Sequence, residues 1–356
     1  MFLKGLILSG GTGTRLRPLT HTRAKQLLPI ANKPILFYGI EALVEAGIKE
    51  IGIIVGDTKD EIIKAVGDGS TWGAHISYIE QNAPLGLAHA VKTAQGYLAD
   101  EPFVMYLGDN LIWGKLQHFV REFYRTKANS VILLSPVDEP QRFGVAQLDQ
   151  GRIVKLIEKP QNPPSNLALV GVYIFDHNIF TAVDKIKPSW RNELEITDAI
   201  QWLVSNNYRV NPYTITNWWK DTGKAEDILE ANRMVLDELT GKVAPDLRNH
   251  NSQLVGRVII QEGVELTNST IRGPAIIGAG SSIANSCIGP FASISSGVTI
   301  ANTEIEYSVI MEDCRVIDFP SRIRNSLIGR NTTLCRSTFR CNDINLVLGD
   351  NSQLFI

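Results

Sequence analysis

Up to about residue 245 the chain alternates two hydrophobic patterns. Residues 3–8, 51–55 and 103–107 are short apolar runs rich in β-branched or aromatic residues, and they read as buried strands. Residues 34–46 and 85–97 lie between them. Their apolar positions recur at three- and four-residue spacing, which predicts helices. Strands that alternate with helices pair in parallel through helical crossovers, so this part is expected to be a Rossmann-like, doubly wound mixed α/β sheet. Such sheets bind ligands beyond the carboxyl ends of their strands, which directs attention to the loops after the three runs.

Beyond Pro245 the helical pattern stops and a short repeat takes over. Ile271, Ile277 and Ile283 are six apart, as are Ile288, Ile294 and Ile300, then Ile310 with Val316 and Ile328 with Leu334. Several of these aliphatics open a unit of aliphatic-Gly-x-x-small form: Ile277-Gly278-Ala279-Gly280-Ser281, Ile288-Gly289-Pro290-Phe291-Ala292, Ile328-Gly329-Arg330-Asn331-Thr332 and Leu348-Gly349-Asp350-Asn351-Ser352. A six-residue period is the signature of a parallel β-helix, in which each short strand points one aliphatic into a narrow prism. An antiparallel sandwich with coincidental spacing is the alternative. The steps from 283 to 288 and from 305 to 310 are fives, so irregular coils are expected. The reading is therefore two domains, an α/β domain over residues 1–240 and a left-handed parallel β-helix over residues 241–356.

Composition narrows the class. The 356 residues carry 35 Lys+Arg against 37 Asp+Glu, a net charge of −2, with 44% hydrophobic and 20% charged residues. That balance lacks the basic footprint of a nucleic-acid binder and does not suit a disordered chain. No apolar run approaches the ~20 residues needed to cross a bilayer. The opening Met1-Phe2-Leu3-Lys4-Gly5-Leu6-Ile7-Leu8 breaks into Ser9-Gly10-Gly11 without a cleavage-site pattern, so no secretory leader is expected. A cytoplasmic protein, with neither nucleic acid nor membrane as partner, is the expectation. Cys287, Cys314, Cys335 and Cys341 form no C-x-x-C pair and have no histidine at metal-ligand spacing, which favours free thiols over two disulfides.

The most informative stretch is Leu8-Ser9-Gly10-Gly11-Thr12-Gly13-Thr14-Arg15-Leu16-Arg17-Pro18-Leu19-Thr20, directly after the first strand. Glycines let backbone N–H groups approach phosphate oxygens closely. The spacing is neither a Walker loop, since no Gly-Lys-Ser/Thr follows, nor a Gly-x-Gly-x-x-Gly dinucleotide turn. Arg15 follows the last glycine, and Lys25 stands in Ala24-Lys25-Gln26-Leu27-Leu28-Pro29. Two cations beyond a glycine loop suit a polyphosphate; the alternative is ordinary surface charge.

These two stretches resemble the signature of the sugar nucleotidyltransferases, most closely the glucose-1-phosphate thymidylyltransferases. The resemblance continues in family order through Glu80-Gln81, Leu85-Gly86-Leu87-Ala88, Leu107-Gly108-Asp109-Asn110, Arg142-Phe143-Gly144-Val145, Glu158-Lys159-Pro160, Leu194-Glu195-Ile196-Thr197-Asp198 and Asp221-Thr222-Gly223, covering about residues 3–240. It implies in-line attack of a sugar 1-phosphate oxygen, here that of glucose 1-phosphate, on the α-phosphorus of dTTP, with pyrophosphate leaving. It further implies Arg15, Lys25 and Lys159 as catalytic cations. Leu8, Gly10, Gly11, Thr12, Gly13, Gln81, Pro84 and Gly86 would line the nucleotide, and Gly144, Glu158, Lys159, Val170 and Tyr173 the sugar phosphate. Asp109 and Asp221 would hold Mg²⁺, which takes one or two carboxylates together with phosphate oxygens. On their own chemistry, Tyr173 and Trp219 suit walls better than reaction. Gln81 offers a donor and an acceptor that match a pyrimidine edge.

Short-form members continue with helices that build tetramer contacts and a regulatory nucleotide site. This chain carries the repeat instead and resembles the long form. Hexapeptide β-helices often belong to acyltransferases, which use a histidine as general base. Residues 251–356 contain neither histidine nor lysine, so the repeat reads as an assembly surface for a homo-oligomer, formed through the β-helix or the catalytic domain. A bifunctional nucleotidyl/acyltransferase, a non-catalytic homologue and a UTP-dependent uridylyltransferase are the alternatives. Thymine and uracil differ by one methyl, worth ~1–3 kcal/mol in a pocket.

Overall fold

The computed structural model describes residues 3–11, 13–336 and 347–355. Thr12 and Cys341 lie outside the described residues. The chain packs as two compact units, Met1–Gly11 with Leu36–Asp221, and Thr12–Ile35 with Thr222–Ile356.

The first unit is built on a nine-stranded mixed sheet. Lys4–Leu8 lies between Glu50–Val55 and Phe103–Leu107 and is parallel to both, with Leu8 paired to Ile54 on one side and Leu107 on the other. All three strands stand where the apolar runs predict them. Leu167–Phe175 then joins Phe103–Leu107 antiparallel, which makes the sheet mixed. Its pairing with Ser130–Pro136 breaks between Leu169 and Tyr173. The helix expected over 34–46 forms as Ile35–Glu45. The one expected over 85–97 forms as Leu87–Thr93 followed by Gln95–Leu98. Its start is delayed by Gly86, whose φ of 103° lies outside the helical region. Leu6, Val91, Phe103, Phe175 and Ile200 are fully buried in one core. A separate two-stranded ladder pairs Asn110–Ile112 with Trp219–Asp221.

The second unit contains the β-helix. Its three faces are parallel sheets of seven, seven and five described strands. Ala275 pairs with Ala292, Ile283 with Ile300 and Cys287 with Glu304, so one coil is 17 residues on every face. The five-residue steps are regular through the first coils: two corners turn over six residues and the third over five. Positive-φ residues mark that short corner at Asn251, Asn268, Asn285 and Asn302, then Asp318. Asparagine accepts this conformation more readily than other side-chain-bearing residues. The amides also stack, Asn251 Nδ2 donating to Asn268 Oδ1 at 3.1 Å and Asn268 Nδ2 to Asn285 Oδ1 at 3.4 Å. Inside the prism Ile277, Ile294 and Ile310 stack on one face, with Ile283 and Ile300 on the next and Ile288 and Ile305 on the third, all buried. Cys287, Cys314 and Cys335 are free thiols.

The first coil strand, Lys242–Val243, begins beside the expected start at 241. Packing nevertheless divides the chain differently from a linear boundary at 240. Residues 12–35 and the helix Ala225–Glu238 belong with the β-helix. Buried Asn232 explains part of this, since its Oδ1 accepts from Ala31 N at 2.9 Å and from Ser293 Oγ at 2.7 Å. Arg257 Nη2 donates to Asp237 Oδ1 at 2.6 Å and fixes the end of the same helix to the first coil. Among the described residues no helix is long and apolar enough to cross a membrane.

Candidate active site

The carboxyl ends of the central parallel strands lie side by side in the first unit. Gly108 N donates to Leu8 O at 2.9 Å, so the glycine loop and Asp109 leave the sheet from adjacent strands. Leu8 itself is a buried strand residue with its carbonyl committed to Gly108. Gly10 faces Gln81: a Cβ there would stand 3.2 Å from Gln81 Oε1. The Gln81 amide is held from the other side, Nε2 donating to His89 Nδ1 at 2.9 Å and to Gly86 O at 3.4 Å. Gly86 has no room for a side chain, because a Cβ would lie 2.5 Å from Leu194 O. Leu194 N in turn donates to Leu85 O at 2.7 Å and Ala88 N to Leu194 O at 3.0 Å. Gly10, Gln81 and Gly86 thus form one cluster, with Gly11 and Pro84 exposed beside it in the chain.

Asp109 and Asp221 are brought together by the small ladder. Asp221 is the register partner of Asn110, the residue after Asp109. Asn110 is buried; its Nδ2 donates to Asp109 Oδ1 at 3.0 Å and its Oδ1 accepts from Trp219 Nε1 at 2.6 Å. Trp219 also meets Phe143 edge-on, with ring centroids 5.2 Å apart. Two carboxylates with no sulfur or imidazole among them form an oxygen-only donor set, which fits a hard cation such as Mg²⁺.

The third cluster surrounds Glu158 at the end of strand Arg152–Glu158. Thr197 Oγ1 donates to Glu158 Oε2 at 2.6 Å, Arg191 Nη1 stands 3.5 Å from Oε1, and Lys159 Nζ stands 3.6 Å from the same oxygen. Gly144 lies against this pair, where a Cβ would be 2.7 Å from Thr197 Oγ1 and 3.0 Å from Glu158 Oε2. Lys159 has a φ of 42°, a left-handed conformation that costs a non-glycine residue ~1–2 kcal/mol. Arg191 also binds Glu193 at 2.6 Å and approaches Glu195 at 3.8 Å. Burial pushes the Glu195 carboxyl above the usual glutamate range, and the nearby Glu158 charge adds to the shift. Asp198 is raised by burial and by Glu158.

Tyr173 is 3% exposed and stacks on Phe175 with centroids 5.7 Å apart. Burial and the Glu158 charge raise its phenol. It is a wall behind Glu158. Val170 is fully buried in the stretch where pairing with Ser130–Pro136 lapses.

Gly13, Arg15 and Lys25 belong to the second unit. Gly13 adopts a φ of 64° and accepts at its carbonyl from Thr20 Oγ1 at 2.7 Å. A Cβ on it would stand 3.0 Å from Lys25 Cβ, so this bend and the lysine pack backbone to backbone. Arg15 is exposed on the short turn Thr14–Leu16, and Lys25 is half-buried at the head of Lys25–Leu27.

Sequence reasoning missed His89, Asn110, Arg191 and Thr197. Each stands inside or next to a quoted motif, but its partner lies elsewhere in the chain or is a backbone neighbour whose role only the fold reveals.

The nucleotidyl transferase family pattern matches residues 4–238. The chain is 49% identical over 352 residues to a glucose-1-phosphate thymidylyltransferase of Streptomyces griseus, covering 99% of both chains. It is 50% identical over 356 residues to the protein of that name from Streptomyces antibioticus, again over 99% of each. A Bacillus anthracis crystal structure, provisionally described as a glucose-1-phosphate thymidylyltransferase in complex with a sucrose, is 34% identical with a TM-score of 0.63. That match covers 67% of this chain and 98% of the other.

Proposed function

The chain belongs to the nucleotidyl transferase family, and from that premise we propose that it condenses dTTP with α-D-glucose 1-phosphate to dTDP-glucose and pyrophosphate. The observation that carries the reading is likeness over nearly the whole length to two proteins of that name, β-helix included. A phosphate oxygen of the sugar 1-phosphate forms a bond to the α-phosphorus of dTTP while the bond to the β-phosphate oxygen breaks, and no covalent enzyme intermediate is needed. The protein's task is then positioning and charge stabilisation.

In this reading Gln81 and Gly86 take the edge and face of the base, next to Leu8, Gly10, Gly11 and Pro84, with Thr12 and Gly13 completing the glycine loop. Glu158 accepts sugar hydroxyls, held in place by Thr197. Gly144 and the Val170 backbone flank the sugar, with Tyr173 behind. Lys159 and Arg191 meet the sugar phosphate, exchanging their carboxylate partners for phosphate oxygens. Arg15 holds the departing pyrophosphate and Lys25 bridges the phosphates as charge redistributes. Asp109 and Asp221 would hold Mg²⁺, which supplies charge neutralisation on phosphate oxygens. The substrates place the work in the cytoplasm, and a second copy of this chain is the expected partner, through the β-helix or the catalytic unit. The product feeds deoxysugar, cell-surface polysaccharide or glycosylated-metabolite synthesis.

A kinetic panel of dTTP and UTP against several sugar 1-phosphates, read by pyrophosphate release with and without Mg²⁺, tests this. A higher kcat/KM for dTTP with glucose 1-phosphate supports it. A preference for UTP moves the donor, and no turnover with any pair sinks the reading.

A further inference from the structure

The segment carrying Arg15 and Lys25 is fastened to the β-helix by side chains at three places. At its hairpin, Pro29–Ile30 against Lys33–Pro34, the tip residues Ala31 and Asn32 take φ values of 47° and 61°, the signature of a tight type I′ turn. Asn32 Nδ2 donates to Ile294 O at 2.6 Å, and its Oδ1 accepts from Ser295 Oγ at 3.3 Å. Arg23, two residues before Lys25, donates from Nη2 to Glu312 Oε2 at 3.4 Å. The arginine side chain is only 11% exposed, so this ion pair is shielded from water on one side. Thr22 Oγ1 donates to Asp350 Oδ2 at 2.9 Å. Asp350 is itself fixed by Arg330, whose Nε and Nη2 stand 3.2 and 2.9 Å from the same oxygen. The three anchors rest on successive parts of the β-helix, near residues 294, 312 and 350. They bracket Lys25 from both sides in sequence.

We infer that the β-helix is a positioning element for the catalytic cations, with Arg23 and Glu312 as its central positioning pair. This rests on the proposed nucleotidyl transfer and deepens it. A lysine that meets charge in the transition state works only if its backbone is fixed, because a misplacement of about 1 Å can cost on the order of a hundredfold in rate. Residues 13–35 contain only three-residue helical turns and a two-residue hairpin, too little regular structure to fix themselves. Their rigidity is supplied from residues far down the chain. The role differs from the pure assembly surface that the repeat suggests in sequence.

The test uses the full chain with Arg23→Ala, Glu312→Ala, the double variant, and the swapped pair Arg23→Glu with Glu312→Arg. The expected result is a kcat lowered on the order of tenfold in each single variant. The double variant should lose no more than the worse single, and the swap should recover much of the loss. KM for glucose 1-phosphate should stay within about twofold, since the groups assigned to it belong to the other unit. Asn32→Ala, at a separate anchor, should repeat the kcat effect. Calorimetric Tm is measured for every variant. Falls in Tm that track losses in every substrate KM and in kcat would make the contacts structural only and overturn the inference. An active parent whose variants all match it also overturns the inference while leaving the functional reading intact. A parent that makes no sugar nucleotide overturns both.

Discussion

Asp221 stands in register with Asn110 across a two-stranded ladder, and the Asn110 amide donates to Asp109 at 3.0 Å. Two acids separated by more than a hundred residues in sequence are thereby delivered to one place by a single buried asparagine. Asp109→Asn and Asp221→Asn should each lower Mg²⁺-dependent turnover by about a hundredfold or more with the fold retained, because an amide keeps the shape and loses the charge. The double variant should be little worse than either single, since both carboxylates serve one ion. Turnover across a Mg²⁺ titration, with circular dichroism as control, checks this; near-normal rates at limiting Mg²⁺ would remove the ligand assignment.

Lys25→Ala should lower kcat more than it raises KM for either substrate. A cation that meets charge appearing in the transition state adds little to ground-state binding. Steady-state kinetics with each substrate varied decides it, and an effect confined to KM would make Lys25 a binding residue.

Arg191→Ala should raise KM for glucose 1-phosphate about tenfold or more and leave KM for dTTP nearly unchanged. Removing the guanidinium also leaves Glu158, Glu193 and Glu195 without their shared cation. Arg191→Lys should recover only part of the loss, because a single ammonium cannot span carboxylates on two sides as the planar fork does. Equal rises in both KM values would argue against a role at the sugar phosphate.

The asparagine corner gives a stability prediction. Asn285→Ala loses an amide partner and forces alanine into a φ of 48°, a combined cost of ~1–3 kcal/mol. Asn285→Gly keeps the conformation and loses only the amide, so it should cost less. Urea unfolding of both variants separates the two contributions, and equal midpoints would show that backbone conformation is not what asparagine supplies.

Asp350 predicts a pH dependence. Burial works against its charge, yet the hydrogen bonds from Arg330 and Thr22 win and hold its carboxyl below the ordinary aspartate value of 3.8. A depressed folded value means stability that is present above the ordinary value and lost as pH falls through the lower one. The Tm advantage of the parent over Asp350→Asn should therefore be full at neutral pH and shrink as pH falls below about 4. Melting curves across that range test it; a gap that widens in acid would reverse the assigned sign.

Much of this was legible in the residues. Strands 3–8, 51–55 and 103–107 were visible because fully buried parallel strands are continuous apolar runs. The repeat was visible because a prism with three flat sides forces a short period. What looked irregular, the five-residue steps, is a designed short corner whose marker is asparagine every 17 residues at 251, 268, 285 and 302. Aliphatic spacing alone could not reveal it, since the polar corner carries that signal. The grouping of residues 12–35 with the β-helix was not legible either. Arg23 and Asn32 look like ordinary surface residues until Glu312 and Ile294 are brought to them.

The Thr22–Asp350 hydrogen bond spans 328 residues and the Arg23–Glu312 pair 289. At a synthesis rate of ~5–20 residues per second, the anchors for the first catalytic lysine emerge from the ribosome some tens of seconds after it does. The α/β unit can collect its strands early, but the cation segment waits for the last coils. A nascent chain arrested before Glu312 should bind sugar phosphate and fail to turn over. Catalytic competence thus arrives late in translation, as a property of the completed chain.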